Sequence, residues 1–280
     1  MTSRVWLLTL AVLIGVHGDC QVNTRYSCRC ENDTSTNVTC HNPVFSQIPN
    51  DVVHPSTDLM ELNITGGHLG ILQPLLFPNL QMLYIQQSQL TLLRDLALSG
   101  LTNLEGLVLK HNRITAVNAA TFANLKQLKY LDLSYNSLTS IHEGAFQDLV
   151  RLETLILSDN AIVKIVDSPF ISLQRLVKLD LSSNQLSGTL RNESLRGLAA
   201  LETLKLGNNQ LSAIDGDALR DCRSRLRVLY LNHNRLETLS RNLVQWRYVL
   251  GIDLSGNPWN CDCRLTWMKG LPNQDMFRFR

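Results

Sequence analysis

Leu128-Lys129-Tyr130-Leu131-Asp132-Leu133-Ser134-Tyr135-Asn136-Ser137-Leu138 is the stretch on which the fold of this chain turns. Its spacing, LxxLxLxxNxL, returns at Leu104, Leu152 and Leu176 with a step of 24 residues, then at Leu201 and Leu226 with a step of 25. Weaker copies open at Leu59, Leu80 and Val249. Inside each unit the LxL run alternates apolar and polar residues, so the leucines face one way and the residues between them the other. This predicts a short strand with one buried face. Stacked in parallel about 4.8 Å apart, nine such strands make an inner sheet about 38 Å long.

The other side of each coil has to be filled too. Six residues before each unit, or seven in the unit from Leu226, stands an apolar residue: Phe122, Phe146 and Phe170 in the middle units, Leu98, Leu195, Leu219 and Leu243 elsewhere. Three residues further on come Leu101, Leu125, Leu149, Leu173, Leu198, Cys222 and Trp246. These two columns are expected to form the convex wall, which makes Cys222 a small core residue rather than a reactive thiol. The column Asn112, Asn136, Asn160, Asn184, Asn209, Asn234 and Asn257 needs its own reason, because a polar side chain in a Leu-rich coil is costly unless paired. An amide both donates and accepts, so each Asn is expected to bond backbone groups of its own and the adjacent coil.

A period of about 20 to 29 residues with this consensus resembles the leucine-rich repeat family, over Leu59 to Trp259. The resemblance implies an α/β solenoid, a horseshoe with a parallel concave β-sheet and an irregular or short-helix convex side. The expected organisation is a signal peptide at 1–18, a cysteine-rich cap at 19–58, about nine repeats at 59–256 and the start of a truncated second cap at 257–280. The leader reading rests on Arg4, the apolar run Val5 to Val16, and the small residues Val16 and Gly18. That run is too short for the roughly 20 residues a membrane span needs.

Cys20, Cys28, Cys30 and Cys40 precede the first repeat as C-x7-C-x-C-x9-C, and sequence alone leaves three pairings open. The family resemblance implies Cys20 with Cys30 and Cys28 with Cys40. A zinc site is the other reading of such a cluster, but a secreted chain oxidises its thiols. Asn257-Pro258-Trp259-Asn260-Cys261-Asp262-Cys263 resembles the opening of the family's C-terminal cap, whose two later cysteines do not follow within the remaining residues. N-glycosylation sequons stand at Asn32, Asn37, Asn63 and Asn192. Asn63 falls between Leu62 and Ile64 and so points out of the inner sheet.

A net charge of +2 predicts no general attraction to nucleic acid or anionic membrane. The outward strand residues carry Lys110, Lys178 and Lys205 against Glu61, Asp132, Asp180 and Asp253, a mixture of signs that also disfavours nucleic acid. Near the midpoint, Val108, Lys110, Tyr130, Asp132, Ile156, Lys178 and Asp180 combine an aromatic anchor, apolar area and both charges, the composition of a protein-binding hot spot. The competing reading is that Lys178, Asp180 and Lys205 only neutralise one another. The seven His are scattered, and no phosphate loop, G-x-S-x-G elbow or H-E-x-x-H motif occurs. The expectation is a non-enzymatic, extracellular binding module without cofactor or membrane insertion, taking an extracellular protein or glycoprotein on its concave face. The alternative is a soluble matrix or plasma binder. The oligomeric state is left open.

Overall fold

The computed structural model describes residues 27–30, 36–44, 46–49, 59–165, 168–260 and 263–270. The leader, Cys20, Asn32, Cys261 and the segment 271–280 lie outside the described residues. Each of the nine units supplies one strand: β3 (Glu61–Thr65), β5 (Met82–Gln86), β7 (Gly106–Val108), β8 (Tyr130–Asp132), β9 (Thr154–Ile156), β10 (Lys178–Asp180), β12 (Thr203–Lys205), β14 (Val228–Tyr230) and β15 (Gly251–Asp253). They lie in that order in one sheet, every neighbour parallel. The N-terminal cap adds two more strands, β1 (Cys28–Cys30) antiparallel to β2 (Asn37–His41), with β2 parallel to β3. The cap thus extends the sheet and covers its edge. Cys28 and Cys40, register partners on β1 and β2, form a disulfide, as the family resemblance implied, and Cys30 is also disulfide-bonded.

Among the described residues the convex side carries no α-helix. It is made of turns, 3-10 segments at Asn192–Leu195, Trp246–Tyr248 and Cys263–Gly270, and two small parallel sheets. These pair β4 (Ile71–Leu72) with β6 (Leu92–Leu93) and β11 (Ser187–Leu190) with β13 (Gln210–Ile214). The convex columns are buried as expected: Phe122, Phe146 and Phe170 are at most 1% exposed and stack with centroids 6.0 Å apart. The far end is sealed by the last 3-10 segment, where Leu265 and Met268 are buried and Trp267 packs on Trp246 at 5.0 Å.

The asparagine column ties coil to coil. Asn184 Oδ1 accepts from Ile162 N–H at 3.0 Å, while its Nδ2 donates to Leu157 of the preceding coil and to Leu181 and Ser182 of its own. The same pattern repeats at Asn136, Asn160, Asn209, Asn234 and Asn257. One further column is marked by no residue type. The residue before each Asn position, Gly66, Gln87, His111, Tyr135, Asp159, Ser183, Asn208, His233 and Gly256, has φ between 52° and 80°. A left-handed residue at this point turns the chain out of the strand and brings the Asn inward. For a non-Gly residue that conformation costs about 1 kcal/mol, a strain that the Asn bonds hold in place.

Cys222 is 1% exposed, with its thiol 3.6 Å from the Leu219 carbonyl. Burial, with a smaller contribution from the Asp221 carboxylate, pushes its pKa from near 9 up to about 12. Because the folded-state value is raised, this contribution to stability is complete below pH 9 and is lost as pH rises toward 12. Urea unfolding between pH 8 and 11 should therefore show stability falling more steeply with pH in the native chain than in Cys222→Ala. Equal slopes would mean that the thiol ionises freely in the fold.

Candidate binding face

Because strand residues alternate, the outward side chains of the sheet form in-register rows. From β3 to β15 the first row runs Glu61, Met82, Gly106, Tyr130, Thr154, Lys178, Thr203, Val228 and Gly251. The second runs Asn63, Tyr84, Val108, Asp132, Ile156, Asp180, Lys205, Tyr230 and Asp253. Of the residues singled out by sequence, Val108, Asp132, Ile156 and Asp180 are consecutive in the second row. Tyr130 and Lys178 lie in the first row with Thr154 between them, and Lys110 leaves the end of β7.

Their exposure divides them. Lys110, Tyr130, Ile156 and Lys178 are half-buried, whereas Val108, Asp132 and Asp180 are only 7–8% exposed. The carboxylates are occupied locally, since a D-x-S spacing puts both side chains on one face of the strand end. Asp132 Oδ1 accepts from the Ser134 amide at 2.8 Å and its hydroxyl at 2.6 Å. Asp180 with Ser182 and Asp253 with Ser255 repeat the arrangement. These aspartates close off the strand ends, and the surface open to a partner rests on the Lys, Tyr and Ile side chains.

Asp180 has a second role. Its Oδ2 lies 3.3 Å from Lys205 Nζ, and the same ammonium stands 5.9 Å from the centre of the Tyr230 ring. Carboxylate, cation and aromatic ring thus occupy three successive strands. On the N-terminal side of the face, burial and then the charge of Glu61 push the Tyr84 phenol above its ordinary pKa. Tyr130 is pushed up by burial, then by the charge of Asp132, by Tyr84, and by a hydrogen bond to Asp132. Both phenols therefore stay neutral at physiological pH, each next to a carboxylate.

The sequons fall on different surfaces. Asn63 Oδ1 accepts from the Thr65 hydroxyl at 3.3 Å, and its strand position is directly beside Tyr84. Asn37, on β2, donates through Nδ2 to Glu61 Oε2 at 3.1 Å. Asn192 opens the 3-10 segment on the other side of the coil, lining an open depression with Thr189, Arg191, Asp215 and Asp217. Among the described residues no three His, Cys, Asp or Glu side chains converge to hold a metal ion, and no helix is long and apolar enough to cross a membrane. This face presents rings, ammonium groups and hydroxyls across a broad open sheet.

A family model described as "Leucine rich repeat" matches residues 78–128, 102–162, 150–211 and 200–258. The rat high affinity nerve growth factor receptor is 36% identical over 87 residues, 31% of this chain and 11% of the receptor. Leucine-rich repeat-containing protein 3 of Danio rerio is 34% identical over 74 residues, 26% of this chain and 27% of that protein. Among solved structures, a TLR13–ssRNA13 complex superposes with a TM-score of 0.62 at 25% identity, over 76% of this chain and 31% of the TLR13 chain. In each case the match spans about a third or less of the other protein's length.

Proposed function

From the premise that this chain belongs to the leucine-rich repeat family, we propose that it is a non-enzymatic extracellular recognition module whose concave sheet binds a protein or glycoprotein. The observation that carries this is the face itself. Nine in-register strands expose Lys110, Tyr130, Ile156 and Lys178 around the midpoint, which puts a tyrosine, an apolar side chain and two ammonium groups within reach of one ligand. Aromatic and mixed polar contacts of this kind concentrate interface energy. The disulfides at Cys28 and Cys30 support an oxidising compartment, as does the leader reading of 1–18. With them the sequons at Asn32, Asn37, Asn63 and Asn192 become acceptor sites, each occupied according to how open its side chain is; Asn37 and Asn63 are already bonded to Glu61 and Thr65 on the sheet. A receptor or adhesion ectodomain is the first reading and a soluble matrix or plasma binder the second. The nerve growth factor receptor resemblance favours the first.

The TLR13 neighbour is a complex with single-stranded RNA, which raises nucleic acid as a ligand class. The face here argues for protein. Three lysines stand against four carboxylates along the sheet, and Lys205 is held by Asp180. Phosphate backbones require a concentration of unpaired positive charge, which this surface does not have.

A glycan wedge tests the reading. Thr154→Asn with Ile156→Thr creates a sequon at the centre of the face, while Thr154→Gln with Ile156→Thr makes the same side-chain changes without an acceptor asparagine and serves as the glycan-free control against which binding is read. Arrayed extracellular proteins that bind the native chain are expected to lose binding to the glycosylated wedge variant and to recover it after enzymatic deglycosylation. Unchanged binding to the wedge variant would move the site off the concave sheet.

A further inference from the structure

β7 differs from the other strands of the repeats: both of its outward residues, Gly106 and Val108, are buried. Elsewhere in the repeat sheet at least one outward strand residue is half-exposed. Taller neighbours cover these two. Met82 and Tyr84 rise from β5 on one side, Tyr130 and Asp132 from β8 on the other. A Cβ on Gly106 would meet the Met82 sulfur and methyl at 2.5 and 2.4 Å, so the missing side chain lets the thioether lie against bare backbone. Glycine in a strand commonly marks such a close approach. The result is a floor of Met82 and Val108 with a tyrosine on each flank. The two phenols are near enough for Tyr84 to influence Tyr130, and Glu61 is the register partner of Met82 on the next strand.

The C-terminal half of the same face indicates what such a setting holds. There Lys205 sits between the Asp180 carboxylate and the Tyr230 ring. The N-terminal half has the same partners, Tyr84 with Glu61 and Tyr130 with Asp132, but the strand between the two tyrosines presents Gly106 and Val108 instead of a cation. Ring faces and a polarisable sulfur attract a guanidinium or ammonium group, and adjacent carboxylates add to that attraction.

We propose that Tyr84, Tyr130 and Met82, set over Gly106 and flanked by Glu61, form an anchor for an arginine or lysine side chain of the protein partner. The anchor rests on the concave-face reading and specifies where on that face the partner is gripped and by what chemistry.

The test uses the full disulfide-bonded chain labelled with 13C at its methionine methyls, five in the sequence, which makes Met82 readily assignable. The probes are N-acetyl-arginine methylamide and its uncharged isostere N-acetyl-citrulline methylamide. The arginine probe is expected to shift the Met82 methyl saturably, binding about 5-fold more tightly than citrulline. Gly106→Ala, whose new methyl meets only the flexible end of Met82, should displace the thioether and weaken the arginine response, and Glu61→Gln should weaken it without changing the melt. Equal binding of the two probes, or no response at Met82, overturns the anchor. With an identified partner the two readings separate. Binding lost on the glycan wedge but indifferent to Gly106→Ala and Tyr84→Ala keeps the face and overturns the anchor. Indifference to the wedge overturns the face, while an arginine-selective Met82 response upholds the anchor chemistry.

Discussion

Phe146→Ala should lower unfolding free energy by about 4 kcal/mol, the upper range for emptying an aromatic site in a core. Phe146 is fully buried and is the middle ring of three, with Phe122 and Phe170 each 6.0 Å away and nearly parallel. Neither neighbour can move into the space, because each is fixed in its own coil by the sheet on one side and the turn on the other. The loss is large against the 5–15 kcal/mol that typically separates folded from unfolded states. A solenoid is held together by contacts between adjacent coils, so the damage should be local: the melt is expected to broaden or split as the two halves lose their coupling. Phe146→Leu, which refills most of the volume, should recover more than half of the loss. Denaturant titration measures both, and a Phe146→Ala cost below about 1 kcal/mol would mean that the convex wall closes over the gap.

Asn136→Ala is the second large effect, about 3 kcal/mol. The Asn136 amide accepts from Ile114 N–H at 3.0 Å and donates to the carbonyls of Leu109, Leu133 and Ser134. Alanine leaves the Ile114 N–H without a partner, a loss of about 1–3 kcal/mol, and takes one of two donors from the Leu109, Leu133 and Ser134 carbonyls, which keep Asn112, Asn160 and the His111 amide. It also releases the turn at Tyr135, whose φ of 53° is otherwise held by the bonds that follow it. Asn136→Asp should be at least as damaging, because a carboxylate would face three carbonyl oxygens. Hydrogen exchange supplies the specific readout. The Ile114 amide, one coil away, should lose protection beyond the average of its neighbours. Uniform loss across the chain would instead assign Asn136 a general packing role.

Much of this architecture was legible from residue spacing. The leucines of the LxxLxL runs, the phenylalanine column and the asparagines recur so regularly that each element follows from a local rule: alternation for strands, burial for columns, pairing for a polar group among apolar ones. The left-handed column was not legible, since Gln87, His111, Tyr135 and Asp159 share no residue type. What they share is a left-handed backbone turn that leads out of the strand into the next position, an Asn after His111, Tyr135 and Asp159 and Ser88 after Gln87. The extension of the sheet by β1 and β2 also lay outside the repeat pattern, because Cys28 and Cys40 set its register in place of leucine spacing.

The candidate face divides in the same way. Which side chains leave the sheet follows from residue order alone, because alternation along a strand is a property of a single strand. So does the presence there of charges of both signs. Which of them remain open to a partner depends on the folded chain: Asp132 and Asp180 are tied down by serines two residues on, and Lys205 is held by Asp180. The meeting of Met82, Gly106 and Tyr130, far apart in the chain, likewise exists only once three coils have stacked in register. The physical reason is that burial is a property of neighbouring strands, and nothing within one repeat specifies how tall the side chains on the adjoining repeats will be.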